Sequence, residues 1–201
     1  ACHGELPWLG PRQCPRCARP DADPRAPCGR CQQRPPAFAG VHAALSYAEP
    51  VPAWVHRLKY GHQLGLAPTL AGLAAEGLGP RLAEEGADLL VPVPLHRSRL
   101  RQRGFNQAQL LARELGRRFA LPEASQGLER VRATRPQVGL ADRRRGANVR
   151  QAFAARPSVV AGRFVLLVDD VVTTGATADA AAKALVEAGA EGVLVVAVAR
   201  A

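Results

Sequence analysis

Residues 165–177 read VLLVDDVVTTGAT, and this stretch decides the fold. Val165, Leu166, Leu167 and Val168 form a short apolar run of the kind buried in parallel sheets. Two carboxylates, Asp169 and Asp170, follow directly, and Thr173, Thr174, Gly175, Ala176 and Thr177 then open an Ala-rich helical stretch. Backbone amides of a tight turn, pooled with those of a helix N-terminus, suit a phosphate dianion. Gly175 permits close approach of the chain, and the three threonines add hydroxyl donors without charge. Paired acids just before such a cradle can accept hydrogen bonds from a ribose cis-diol. An ordinary helix cap needs only one hydroxyl. The fixed order of strand, two acids, Thr-Thr-Gly and Thr points instead to a sugar phosphate bound at a strand C-terminus.

The flanking sequence supplies the matching elements. A strand over 163–169, a helix over 176–188 and a strand over 192–199 (GVLVVAVA) make a βαβ unit. Upstream, 88–93 reads as a buried strand and 106–119 as a helix with Leu110, Leu111 and Leu115 on one stripe. Residues 38–48 read as the first strand of this region, with helices over 51–60 and 66–78. Aromatics are only 4% of the chain, so the core must rest on Ala, Leu and Val, which suits α/β layers. The expected fold class is α/β, a mostly parallel, Rossmann-like sheet flanked by helices and spanning 38–201. Residues 1–37, rich in Cys, Pro and Arg, form a separate small module.

Charge is concentrated. Residues 96–150 carry fourteen Arg against four acids, which accounts for the whole +10 of the chain. Such a field attracts small polyphosphates or nucleic acid. Arg97, Arg99, Arg101 and Arg103 fall on a turn after strand 88–93, which overlooks the same cleft if that strand pairs with 164–169. Arginine forks there suit a pyrophosphate, usually carried with Mg²⁺. Single-strand platforms interleave aromatics with bases, yet the basic segment has only Phe105, Phe119 and nearby Phe153. Residues 120–150 read as a long loop around short elements, with Gln137, Arg145 and Asn148 able to close over a reactive centre. The alternative there is an Arg-rich linker. No apolar run reaches the ~18 residues needed to span a bilayer, and no leader pattern is present, so a cytoplasmic protein without membrane insertion is expected.

Cys14, Cys17, Cys28 and Cys31 form two C-x2-C pairs flanked by Pro and Gly. Each pair can turn both thiolates toward one tetrahedral ion, which reads as a structural zinc site. Disulfides suit a cytosolic chain poorly. Cys2 stands apart, either as a free thiol or with a partner upstream of Ala1, and with His3 it is left out of the site.

The segment 165–177 resembles the signature of type I phosphoribosyltransferases that binds phosphoribosyl pyrophosphate (PRPP). The resemblance implies ribose contacts from Asp169 and Asp170, and a 5′-phosphate wrapped by Thr173, Thr174, Gly175, Ala176 and Thr177. Arg97, Arg99 and Arg103 become candidates for the pyrophosphate. LKYG at 58–61, PVPLHRSRLRQRGFNQA at 92–108, T-x-x-Q-x-x-L, R-x-x-N-V-x-x-A-F and DDVVTTGAT together resemble the ComF family (competence protein F, GntX-like), over essentially the whole chain. That resemblance implies action in natural competence and DNA uptake, on or near single-stranded DNA. It leaves two readings open: a candidate phosphoribosyltransferase of unassigned acceptor, or a non-catalytic PRPP sensor or DNA-binding adaptor that docks a helicase or other uptake protein through its zinc module.

Overall fold

The computed structural model describes residues 3–78, 86–132 and 152–201. Its sheet comprises β1 (Gly40–Ser46), β2 (Leu89–Pro92), β5 (Phe164–Val172) and β6 (Gly192–Arg200), in the order β1-β6-β5-β2 with every pair parallel. Strand β5 is central, and Leu89 to Pro92 pair with Val165 to Val168, so the expected neighbourhood of the two strands is met. A two-stranded antiparallel ribbon, β3 (Leu128–Arg130) with β4 (Phe153–Ala155), stands beside it.

Period-two alternation on β5 divides the core between two faces. Leu166 and Val168 pack with Val55 and Leu58 of α2 (Val51–Tyr60), Leu70 of α3 (Leu66–Leu78), and Leu111 and Leu115 of α5 (Gln107–Phe119). Val165 and Leu167 pack with Ala178, Ala181, Ala182 and Leu185 of α7 (Ala176–Glu187), and with the β3–β4 ribbon. The alanines let α7 lie close to the sheet, which is how a chain poor in aromatics fills its core. No described helix is long and apolar enough to cross a membrane.

Two local expectations are corrected. Strand β5 runs to Val172 rather than ending at Asp169, because its pairing with β6 continues through Val172 and Arg200. Both acids therefore lie within the strand. The arginine turn is a short helix, α4 (Arg97–Arg103), capped by the His96 side chain accepting from the Ser98 N–H and closed by Gly104 at φ 82°. The helical twist turns Arg99 and Arg103 inward on one face and leaves Arg97 and Arg101 exposed.

The N-terminal residues pack on this domain. Trp8 bridges to Leu45 of β1, Leu6 joins the core, and α1 (Gly29–Gln33) carries Cys31.

Candidate functional site

At the C-terminal edge of β5, Asp170 is buried, its side chain 4% exposed, and pairs through Oδ2 with Lys59 Nζ of α2. Its Oδ1 accepts from Gln107 Nε2 at 3.4 Å, and Gln107 Oε1 in turn accepts from Arg103 at 2.5 Å. The Arg103 guanidinium lies over the Tyr60 ring, 5.1 Å from its centroid. Thus Lys59 and Tyr60 of the LKYG motif meet Arg103 and Gln107 of the RGFNQ motif at one carboxylate. Residue Asn106 fixes the geometry: its Oδ1 caps α5 and its Nδ2 donates to the Val93 carbonyl at 3.1 Å.

Asp169 is half-buried, and its Oδ1 accepts from the Asp170 N–H at 2.9 Å. Loss of water, then the neighbouring Asp170 charge, holds the Asp169 carboxyl well above the usual carboxylate range, and Lys59 only partly opposes this. For Lys59, burial pulls the ammonium down, but the charge and hydrogen bond of Asp170 prevail and raise it above its ordinary value.

Beyond the acids, Val172 ends the strand and Gly175 adopts φ 77° as the N-cap of α7. This left-handed conformation favours glycine. It brings the amides of the first turn of α7 together behind Thr173 and Thr174. The Ala176 N–H is held by Thr174 Oγ1 at 3.3 Å. Thr173 is exposed, and Thr174, Gly175, Ala176 and Thr177 are half-buried, so the turn is open to a ligand.

The pyrophosphate candidates separate by partner. Arg97 is exposed and pairs with Glu129 of β3 at 2.9 Å. Arg103 is engaged by Gln107 and Tyr60. Arg99 interacts through its charge with Arg130 of β3, a residue the sequence does not single out. Burial, then the like charge of Arg99, lowers the Arg130 guanidinium below its ordinary value, while Asp169 opposes the change. The charges of Arg99 and Arg130, from separate elements, are thus felt at one another and at Asp169. Gln137, Arg145 and Asn148 lie outside the described residues.

The four cysteines of the two C-x2-C pairs do come together. Their sulfur atoms lie within 4.8 Å of one another. Cys17 Sγ and Cys28 Sγ stand 3.8 Å apart, which matches the edge of a tetrahedron with Zn–S bonds of about 2.3 Å. The Cys28 N–H donates to Cys14 Sγ at 3.2 Å. Burial raises the Cys14 thiol, but the amides of Cys28, Cys17 and Arg16 outweigh it and bring it to about 6. Burial pushes the Cys17 and Cys31 thiols up. Such a sulfur set fits a four-coordinate metal such as zinc.

Lys59, Gln107, Arg130 and Arg200 are the functional candidates that spacing did not reveal. The first two sit inside motifs whose resemblance was legible but whose chemistry was not. Arg130 and Arg200 carry no sequence signal, because only the strand pairing places them.

The phosphoribosyl transferase domain family matches residues 100–201. The DNA utilization protein YhgH of Salmonella typhimurium is 38% identical over 180 residues, spanning 88% of this chain and 79% of that protein. Competence protein F of Haemophilus influenzae is 35% identical over 181 residues, or 87% of this chain and 78% of that one. Competence protein ComFC of Streptococcus pneumoniae is 26% identical over 194 residues, 96% of this chain and 82% of its own. With a parallel sheet, an acid pair on its central strand and a Thr-Thr-Gly turn opening α7, the chain belongs to the ComF family of type I phosphoribosyltransferase-fold proteins.

Proposed function

We propose that this protein binds PRPP with Mg²⁺ at the C-terminal edge of β5 and acts in natural competence, handling incoming single-stranded DNA in the cytoplasm. One observation carries the reading: the acid pair and the amide-lined turn closed by Gly175 are consecutive on one strand-to-helix junction. In this reading Thr173, Thr174, Gly175, Ala176 and Thr177 hold the 5′-phosphate, and Asp169 and Asp170 face the ribose hydroxyls. Arg99, with Arg97, Arg103 and Arg130, forms the pyrophosphate wall. Cys14, Cys17, Cys28 and Cys31 hold a structural zinc ion, making the segment before residue 38 a metal-ordered module.

Displacement at the anomeric carbon needs positioning and charge neutralisation more than a protein nucleophile. Mg²⁺ bound with the pyrophosphate would supply part of that neutralisation, and the arginines the rest. The acceptor is one that a pyrophosphate-release assay over a panel of nucleophiles would identify.

A non-catalytic reading, an adaptor that grips single-stranded DNA and docks a helicase or other uptake protein, gains one observation. The basic segment has few aromatics of its own, yet α2 brings Tyr60, 62% exposed, against Arg103, and His62 just beyond it meets Phe105. Arginine beside exposed aromatic rings is the composition of a single-strand platform.

Calorimetry with PRPP and Mg²⁺ tests the main reading. Micromolar binding is expected for the native chain and none for the Asp169→Ala/Asp170→Ala variant. Equal behaviour of the two chains refutes it. Heat of binding without pyrophosphate release selects the sensor or adaptor, for which DNA affinity must fall steeply with salt.

A further inference from the structure

Arg200 is the last residue of β6 and is 5% exposed. Its Nε donates to the Cys17 carbonyl at 2.9 Å, inside the first cysteine knuckle. Its Nη1 donates to the Val172 carbonyl at 3.2 Å and to the Thr173 carbonyl. One rigid guanidinium therefore joins the metal-ligand knuckle to the entry of the phosphate turn. Other links run the same way. The Asp179 carboxylate, in the first turn of α7, accepts from the Ala37 N–H at 2.7 Å, and the buried Phe38 ring lies 3.9 Å from where a Cβ on Gly175 would sit. A cavity of about 1050 Å³ lies between the two parts, lined by Cys28 and Arg30 on one side and Thr173, Thr174 and Arg200 on the other.

The knuckle holds Cys17 by its backbone as well as its sulfur: the Ala18 N–H donates to the Cys14 carbonyl and the Cys14 N–H to the Arg19 carbonyl, both at 2.9 Å. Residues 14–31 contribute few apolar side chains to the core, so an ion held by the four sulfurs would be the main further tie on that backbone. Without the ion, the Cys17 carbonyl loses its fixed position and Arg200 loses one of its anchors. A guanidinium fork tolerates little misalignment, so the shift passes to the Val172 and Thr173 carbonyls.

We propose that Arg200 is a positioning residue that transmits metal occupancy of the cysteine cluster to the phosphate-binding turn, making metal and sugar phosphate bind cooperatively. The cooperative part rests on the sugar-phosphate reading above; the structural coupling does not. By linkage, the factor by which metal tightens ribose 5-phosphate equals that by which ribose 5-phosphate tightens metal.

The experiment uses the full chain, zinc-loaded or stripped with a chelator. Amide hydrogen exchange over residues 173–177 reads the turn, and calorimetry with ribose 5-phosphate reads binding. Metal removal is expected to speed exchange of the turn by about fivefold or more and to weaken ribose 5-phosphate by about tenfold, within the usual coupling range. Competition with a chromogenic chelator should show the same factor in zinc affinity. Zinc-loaded Arg200→Lys, which keeps the charge but loses the fork, should behave as the stripped native chain and respond no further to the chelator. Unchanged exchange at 173–177 while 14–31 opens, or a full chelator response in Arg200→Lys, overturns the proposal. If Arg200→Lys does not fold, the native-chain exchange comparison still decides. If loaded native chain ignores ribose 5-phosphate, the sugar-phosphate reading fails while the exchange result judges the coupling.

Discussion

Replacing Lys59 by Met removes the cation from the buried pair with Asp170 and keeps the aliphatic stem packed along α2. The Asp170 carboxylate then keeps the long hydrogen bond from Gln107, at 3.4 Å, and no cation paired with it among the described residues. Removing one partner of a buried pair costs about 3–5 kcal/mol, since a charge is left uncompensated. The Lys59 side chain is 23% exposed, so water relieves part of this and the lower end, about 3 kcal/mol, is expected. For a chain of this size that is a fall in Tm of roughly 6–12 °C. The cost depends on pH, with a definite sign. Asp169 is held above its ordinary 3.8 by burial and by Asp170, and Lys59 opposes that rise. A carboxyl raised in the folded state supports folding fully below its ordinary pKa and withdraws that support as pH rises through the folded value. Loss of Lys59 raises Asp169 further, so the deficit is small where that acid holds its proton and grows with pH. Urea unfolding at about pH 5 and about pH 8 measures it. The deficit should be larger at the higher pH, and Asp170→Asn in the Lys59→Met background should restore much of it. A loss below about 1 kcal/mol at the higher pH, near the value of an exposed pair, refutes the reasoning. So does a deficit that shrinks as pH rises.

Gly175→Ala places a Cβ on a residue at φ 77°, with only Phe38 within reach at 3.9 Å, so the penalty is conformational rather than steric. A cost of roughly 1–2 kcal/mol is expected in denaturant melts, together with weaker PRPP binding in calorimetry as the turn relaxes away from its cradle. Arg130→Gln removes one of the two interacting guanidiniums. It should weaken PRPP by about tenfold, on the scale of one charge-assisted hydrogen bond, and leave ribose 5-phosphate unchanged; equal effects on both ligands would place Arg130 away from the pyrophosphate.

The sequence is most readable where one physical rule dominates. The apolar run at 165–168 predicts a buried strand because both faces of β5 are covered, and the period of Leu110, Leu111 and Leu115 marks α5. The end of β5 is harder. Asp169 and Asp170 look like turn residues, but pairing to β6 outweighs their poor strand propensity and carries the strand to Val172. Residues 97–103 lack an apolar stripe, so no periodicity reports α4; its His96 cap and Gly104 terminator are the only local signals. The cysteine cluster is legible because ligand spacing is local. Contacts of Lys59 with Asp170 and of Arg200 with Cys17, and the charge interaction of Arg99 with Arg130, join residues far apart in the chain. They depend on strand order, which no local pattern encodes.

In the proposed reading, the cleft presents three kinds of charge to one ligand. At one end the turn at 173–177 offers backbone amides and hydroxyls without a formal charge. In the middle stand two acids that share one lysine, so their net charge stays negative whenever both are ionised. Arg99 and Arg130 repel one another, and burial adds to the cost at Arg130. In the proposed reading, a ligand with anionic groups at both ends and a neutral diol between them meets the acids with its diol and sets its more highly charged end against the arginines. Reversed, it would put that end at the uncharged turn and leave the arginines facing the smaller anion. An anion drawn to Arg99 and Arg130 also relieves their mutual repulsion, so the arginines contribute most when the ligand carries its second phosphate group. If the cleft binds PRPP as proposed, recognition is graded by charge along the ligand. A fold with few aromatic side chains would then discriminate a sugar bearing two phosphate-containing ends from one bearing a single phosphate.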